Sequence, residues 1–358
     1  MGQEELGAGG DLATPQPSTS RRVAALWQGL VSQAASRIPL AFFKRMPRVV
    51  IIDVTNSCNL RCPVCPVTFA MTRPRGLMPL ERFRALIDDL DRHGFRPEIF
   101  FNFSGEPTLN RALPDMIAYS TAHGHRTFVS TNATKLDANT AEALIQAGLT
   151  RISLCLDGFN KEAQESYRIR SDFEEVKANI ETFLGTRRRL RAKNPLTVLQ
   201  TLLTSYSENQ IGEIESWARA IGFDKVRFKT FSVGSHTDQA TRSAYSRFLP
   251  SRTELRRHTT KRKRAICSAP LHQTVVFWTG QLGLCCIDYD QMIKLPSIDQ
   301  EGFVSAYRSD AAARARRKGF AKGFAICQSC SYSDADNMGF VVDFRPLATR
   351  LDSQVPVR

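Results

Sequence analysis

The chemistry of this chain starts at Cys58-Asn-Leu-Arg-Cys62-Pro-Val-Cys65. Three thiolates so closely spaced, on a loop that leaves a strand-like run, can wrap one metal centre. A structural zinc site wants four ligands closing a tetrahedron, and no fourth Cys or His lies nearby; the next histidine is His93. A 4Fe–4S cluster held by three cysteines keeps one iron without a protein ligand. An outside molecule can take that position, which makes the arrangement reactive.

Of the nine cysteines, the remaining six are Cys155, alone, and a group at 267, 285, 286, 327 and 330. The chain reads as cytoplasmic, where thiols stay reduced, so short Cys spacings point to metal or catalysis before disulfides. The stretch 23–43 is amphipathic and lacks the apolar core of an export signal despite Arg21 and Arg22, and no run is long enough for a membrane span. Lys and Arg number 49 against 35 Asp and Glu, a net +14, concentrated at 187–193, 256–264 and 314–322. Such runs read as solvated helix faces and a linker, as a surface for an acidic partner, or as nucleic-acid contacts. No aromatic residues interleave with them as in a binding motif, so the nucleic-acid reading is set aside.

The elements that must position these groups alternate. Strand-like runs at 49–55, 98–104, 126–131, 151–157, 196–203 and 225–231 are separated by helical periodicity near 79–93, 111–123, 139–147, 172–192 and 207–221. Six strand–helix units predict a parallel α/β sheet with right-handed crossovers, a partial (β/α)6 TIM-like barrel with its chemistry at the C-terminal strand ends. The expected segments are a disordered tail (1–20), a helical extension (21–47), the barrel (48–250), a basic linker (251–264), a small Cys-rich domain (265–345) and a C-terminal tail (346–358).

With strand and loop in place, the C-x3-C-x2-C motif resembles that of the radical S-adenosylmethionine (SAM) superfamily, over roughly residues 48–345. Ser104-Gly105-Glu106-Pro107 is similar to the family's Gly-Gly-Glu-Pro, with Ser for the first Gly; the resemblance implies contact with the SAM amino group. Ser130-Thr131-Asn132 resembles the family's ribose-contacting segment, with helix capping as an equal alternative. Alternation along the fourth strand puts Ser153, Cys155 and Asp157 on one face. The family usually has Ser where Cys155 stands, so a thiol replaces a hydroxyl; it reads as a buried inert group or as a catalytic candidate in the cavity. Arg168, chosen over Arg170, resembles the arginine that pairs with the SAM carboxylate. Gln200 is a polar residue inside an apolar strand and a further cofactor or substrate contact, with Lys229 and Ser232 behind it.

Cys267, twelve residues, Gly280, four residues and Cys285 resemble the opening of SPASM-type domains. Cys327 and Cys330 complete four ligands, which implies the shorter Twitch variant with one auxiliary 4Fe–4S cluster; a zinc ribbon is the alternative. Gly280 is expected to turn a hairpin between 274–278 and 282–285. Cys286 is then spare, either architectural or a hydrogen-atom donor to a substrate radical.

The resemblance implies reductive cleavage of SAM to a 5′-deoxyadenosyl radical and hydrogen abstraction from a substrate. The reaction expected is that of a dehydrogenase or epimerase on a sugar- or aminoglycoside-like molecule or another natural product, with Asp157, Asp288 or Asp290 holding it. A peptide- or protein-modifying maturase is the alternative, disfavoured by the roughly 45 residues before the first strand. A non-catalytic zinc protein binding nucleic acid is a third reading. An acidic flavodoxin or a ferredoxin is the expected electron donor.

Overall fold

Short runs of β-branched and aromatic residues become strands here because each has one face against helices. In the computed structural model the fold is described for residues 19–231, 243, 245–257, 265–328, 330 and 338–346. The expected tail up to residue 18, Ser232, the second half of the linker and the C-terminal tail beyond 346 lie outside the described residues.

The expected strands form as β1 (Val49–Ile52), β2 (Glu98–Phe101), β3 (Thr127–Thr131), β4 (Arg151–Cys155), β5 (Leu196–Leu203) and β6 (Lys225–Thr230), paired in parallel in sequence order. Alternation sends Val50, Ile52, Ile99, Phe101, Ile152 and Phe228 outward into one large core. Preceding the sheet is α1 (Thr19–Ser36); between the strands lie α2 (Leu80–Arg92), α3 (Leu113–Ala122), α4 (Ala138–Gln146), α5 (Lys161–Tyr167), α6 (Phe173–Arg189) and α7 (Ile211–Ile221). Asp137, Asn160 and Asp172 cap the N-termini of α4, α5 and α6 with their side chains. Helix α5 was not expected from periodicity; at seven residues it is too short to show one.

The sheet does not stop at six strands. Two further strands, β7 (Gln273–Val276) and β8 (Leu282–Gly283), form the expected hairpin, with Gly280 at φ +87° in its turn. A side chain at Gly280 would put Cβ 2.7 Å from the Asp299 carboxylate. Strand β7 pairs in parallel with β1, Val49 opposite Gln273 through Ile52 opposite Val276. At the other edge β9 (Phe340–Asp343) runs antiparallel to β6. Among the described residues these strands make one nine-stranded sheet of order β8-β7-β1-β2-β3-β4-β5-β6-β9.

Helix α8 (Ile298–Arg308) adds Ile298, Phe303, Val304 and Tyr307 to the main core. It is tied to α2 by the buried Asp89, which accepts from the Val304 amide at 2.8 Å, and by Arg82, which grips Asp299 through two nitrogens at 2.8 and 3.0 Å. Helix α9 (Asp310–Phe320) carries the third basic run, which is not wholly solvated: Arg316 is 3% exposed. Its guanidinium donates to the Phe43 and Tyr307 carbonyls, both at 2.6 Å, and lies over the Tyr307 ring. Among the described residues no helix is long and apolar enough to cross a membrane.

Candidate active site

The chain leaves β1 at Ile52 and enters the cysteine loop at once. Every strand end nearby holds that loop. The Glu106 amide donates to the Ser57 carbonyl at 2.8 Å, and the Arg61 amide to the Ile169 carbonyl at 3.0 Å. Asn132 donates through Nδ2 to Asn59 Oδ1 at 3.1 Å and to the Cys58 sulfur at 3.9 Å. Leu60, Tyr167, Phe231 and Phe248 pack around Cys62. Burial raises all three thiols above their ordinary range, Cys62 up to about 12, with Arg168 pulling the other way. Sulfurs so placed become thiolates only when a cation compensates them, which is what cluster iron does. Among the described residues no three Cys, His, Asp or Glu groups converge on a single bare ion. Three thiols spread along a loop suit the separate corners of a cubane instead.

Gly105 has φ +74°, and a Cβ there would meet the Ser57 and Thr55 carbonyls at 2.4 Å. This is the close backbone approach that the motif required. The Glu106 carboxylate is fully buried and spent on the protein. It accepts from Thr131 Oγ1 at 2.6 Å, the Asn132 amide at 2.8 Å, and the Thr108 hydroxyl and amide at 2.8 and 3.2 Å. Burial pushes its carboxyl up against the pull of those donors. Pro107 is buried directly behind it. Thr131 and Asn132 cap no helix; they join Glu106 to the cysteine loop. The Ser104 hydroxyl donates to Asp53 at 2.6 Å and accepts from Arg73 Nη2 at 2.7 Å, while Arg73 Nη1 bonds Asp53 at 2.6 Å. Asp53 and Arg73 were missed from sequence. Arg73 sits in a stretch, Met71-Thr-Arg-Pro-Arg75, that reads only as a loop.

On β3 to β5 the inner faces meet. Cys155 is buried, 3.7 Å from Ser130 Oγ, and receives a bond from Gln200 Nε2 at 3.4 Å. Ser153, also buried, pairs in register with Ser130. One residue beyond Leu156, Asp157 accepts from Arg168 Nε at 2.5 Å and from the Leu202 amide at 2.8 Å. Arg168 is thereby aimed beside Cys62 and Cys155, whereas Arg170 is exposed. The carboxylate keeps Arg168 charged despite burial.

The second cysteine group assembles from four places: the chain before β7, the exit of β8, the short helix Ala325–Gln328 and the residues just after it. Cys285 lies within electrostatic reach of Cys267 and Cys327, and Cys327 within reach of Cys267 and Cys330. Burial and the neighbouring sulfurs raise Cys285 well above its ordinary range, so this set too calls for a cation. Cys286 is the exposed member, facing Cys267 and Cys330 and bonded by Gln273 Nε2 at 3.5 Å. Leu284, Ile293 and Ile326 form a small core of their own beneath the group. The carboxylates expected to hold substrate are otherwise engaged. Asp288 accepts from the Met292 and Ile293 amides at 2.7 and 3.1 Å. Asp290 accepts from the Thr72 hydroxyl at 2.6 Å and amide at 2.7 Å, and from the Arg73 amide at 3.1 Å. With Asp157 on Arg168, none of the three is left for a ligand.

Comparison with known proteins agrees with this geometry. The sequence profile of the Radical SAM superfamily matches residues 52–218, and that of SPASM, an iron–sulfur cluster-binding domain, matches 267–331. The chain is similar to an Fe-coproporphyrin III synthase of Methanosarcina barkeri, 36% identical over 129 residues, 36% of this chain and 32% of that protein. It is 25% identical over 228 residues to an AdoMet-dependent heme synthase of the same organism, 62% of each chain. It thus spans a third to just under two thirds of the length of these relatives. The fold is shared with Streptococcus suis SuiB bound to S-adenosylmethionine, at a TM-score of 0.59 and 14% identity, covering 80% of this chain and 71% of that one.

Proposed function

The chain belongs to the radical SAM superfamily, with a SPASM-type iron–sulfur domain and with SAM and 4Fe–4S clusters as cofactors, and on that premise we propose that it is an oxidoreductase. Its substrate would be a small hydroxylated or aminated natural product, dehydrogenated or epimerised at an unactivated C–H bond. When bound, the first cluster supplies the electron that splits SAM into methionine and a hydrogen-abstracting 5′-deoxyadenosyl radical. Cys58, Cys62 and Cys65 would hold that cluster, and Cys267, Cys285, Cys327 and Cys330 the auxiliary one. Arg168, held through Nε by Asp157, would pair with the SAM carboxylate. Gly105, pressed against the Thr55 and Ser57 carbonyls, fixes the Ser104–Pro107 segment that would meet the cofactor's amino end.

One observation carries the oxidative reading. The two cysteine groups are joined through a single sheet, β7 on β1, and through Arg73, whose Nε donates to the Tyr289 carbonyl at 2.8 Å. Loss of a hydrogen atom leaves a substrate radical with one more electron to give. A second redox centre held rigidly to the first suits its removal. The similarity to the heme synthase and the coproporphyrin enzyme supports the abstraction step; it covers too little of them to carry their substrates across.

The experiment is anaerobic reconstitution with iron and sulfide, then dithionite, SAM and a panel of deuterated aminocyclitols and sugars. Formation of 5′-deoxyadenosine carrying substrate deuterium, with a product two hydrogens lighter, is the result expected. A product that has only exchanged its deuterium for a solvent hydrogen marks epimerisation; Cys286→Ala then separates SAM cleavage from product formation. Protein that carries only zinc, or that leaves SAM intact under strong reductant, overturns the reading.

A further inference from the structure

The inner face of the sheet holds a polar strip that the cofactor contacts do not use. Its floor is closed: Arg151 lies over the Phe128 and Phe100 rings, 4.5 and 5.4 Å from their centroids, and 3.9 Å from the Glu98 carboxylate. Its roof is the cysteine loop, against which Phe231 packs. Between them Lys229 stands one pleat below Phe231, on the face opposite the outward-packed Val226 and Phe228. It feels Cys155 electrostatically, which places it over the same strip.

The acidic groups at the upper end of this strip are already engaged. Asp53 is bound to Arg73 and Ser104, Asp157 to Arg168, and Glu106 to Thr108, Thr131 and Asn132. The Lys229 ammonium has no ion-pair or hydrogen-bond partner among the described residues. Burial keeps the Cys155 thiol protonated, so it offers no counter-charge. One amide on the neighbouring strand also has spare capacity. Gln200 uses Nε2 on Cys155 and leaves Oε1 without a partner among the described residues.

We propose that Lys229, with Gln200 diagonal to it on the neighbouring strand, is a subsite for an anionic group of the substrate, a carboxylate or a phosphate, on a molecule whose hydroxyl or amino groups the Gln200 amide reads. This rests on the oxidoreductase reading and narrows its substrate class. Arg168 takes the cofactor's carboxylate; Lys229 takes the substrate's anion. A half-buried ammonium gains most from a partner that arrives with its own charge, and a charge-assisted hydrogen bond there is worth about tenfold in affinity.

The test is calorimetric and needs no turnover. Full-length, cluster-reconstituted protein saturated with SAM, which occupies Arg168, is titrated with gluconate, with glucose 6-phosphate and with neutral sorbitol. One of the two anions is expected to bind about tenfold or more tighter than sorbitol, and which one does so separates carboxylate from phosphate. Lys229→Met should abolish that preference and Lys229→Arg should retain it, both at wild-type iron content. If Lys229→Met fails to load iron, Lys229→Gln takes its place against Lys229→Arg. Equal binding of anion and sorbitol, no binding of either anion at tens of millimolar, or an anion preference that survives loss of the lysine overturns the inference. Wild-type protein that does not cleave SAM sinks the oxidoreductase reading instead, whatever the anions do.

Discussion

The two cysteine groups solve opposite problems. The first has three thiols on a loop whose backbone is fastened to the ends of β2, β3 and the segment after α5, and a charged Arg168 stands beside it. The second has five thiols, a private apolar core and, among the described residues, no comparable lattice of strand ends. One site is built around a molecule that is not protein, with ligands to spare for nothing else. The other has more sulfur than a cubane has corners and can close on itself. Rigidity is invested where a cofactor must be oriented, and thiols where a cluster must only be kept.

The sharpest way to break this contrast is to remove one thiol from each group. Cys62→Ala should lower iron from about eight to about four per chain and bring 5′-deoxyadenosine formation to background. Cys327→Ala should remove a similar share of iron, yet SAM should still be split while substrate oxidation stops. Equal loss of SAM cleavage in both variants would erase the distinction. Next in size is the arginine beside the first group. Arg168→Leu should weaken SAM binding by about ten- to a hundredfold, as expected for losing a charge-assisted bidentate partner, and Asp157→Asn by less, read from SAM titration of the cluster's absorption.

Smaller effects probe the join between the groups. Arg73→Leu strands the buried Asp53 and should cost about 3–5 kcal/mol in urea unfolding, while Thr72→Val removes one hydroxyl bond to Asp290 and should cost about 1 kcal/mol. Smallest is the effect of salt. Arg314, Arg317 and Lys318 on α9 lie near Cys267, whose amide donates to the Phe320 carbonyl at 2.8 Å. Reduction by an acidic flavodoxin should slow several-fold between low and physiological ionic strength; a rate indifferent to salt argues for a donor held by other forces.

Local spacing made much of this legible. Cys58, Cys62 and Cys65 are within one loop, and the strand ends carrying Gly105, Asn132 and Asp157 follow runs whose period is plain. That Ser153 and Cys155 share a face followed from alternation alone. What stayed hidden depends on partners far along the chain. Nothing near Glu106 says that Thr131 and Asn132 will take its carboxylate, and nothing near Arg73 says that Asp53, Ser104 and Tyr289 converge on it. Arg316 read as part of a solvated run because its partners, Phe43 and Tyr307, lie outside the helix period. The strands ended earlier than their hydrophobic runs, at Ile52, Phe101 and Cys155, because the chain turns into the site where the sheet hydrogen bonds stop.

The seam between β7 and β1 sets an order of events. On a ribosome Val49 emerges long before Gln273, so the first strand is made with one side bare and stays so until the chain has grown past Val276. An unpaired apolar edge next to a loop of reactive thiols is a hazard for as long as it lasts. Cutting the chain after the basic linker makes that interval permanent. A shortened protein prepared to study the SAM site alone would expose Val49–Ile52 and aggregate, so both halves must be made, and metallated, together.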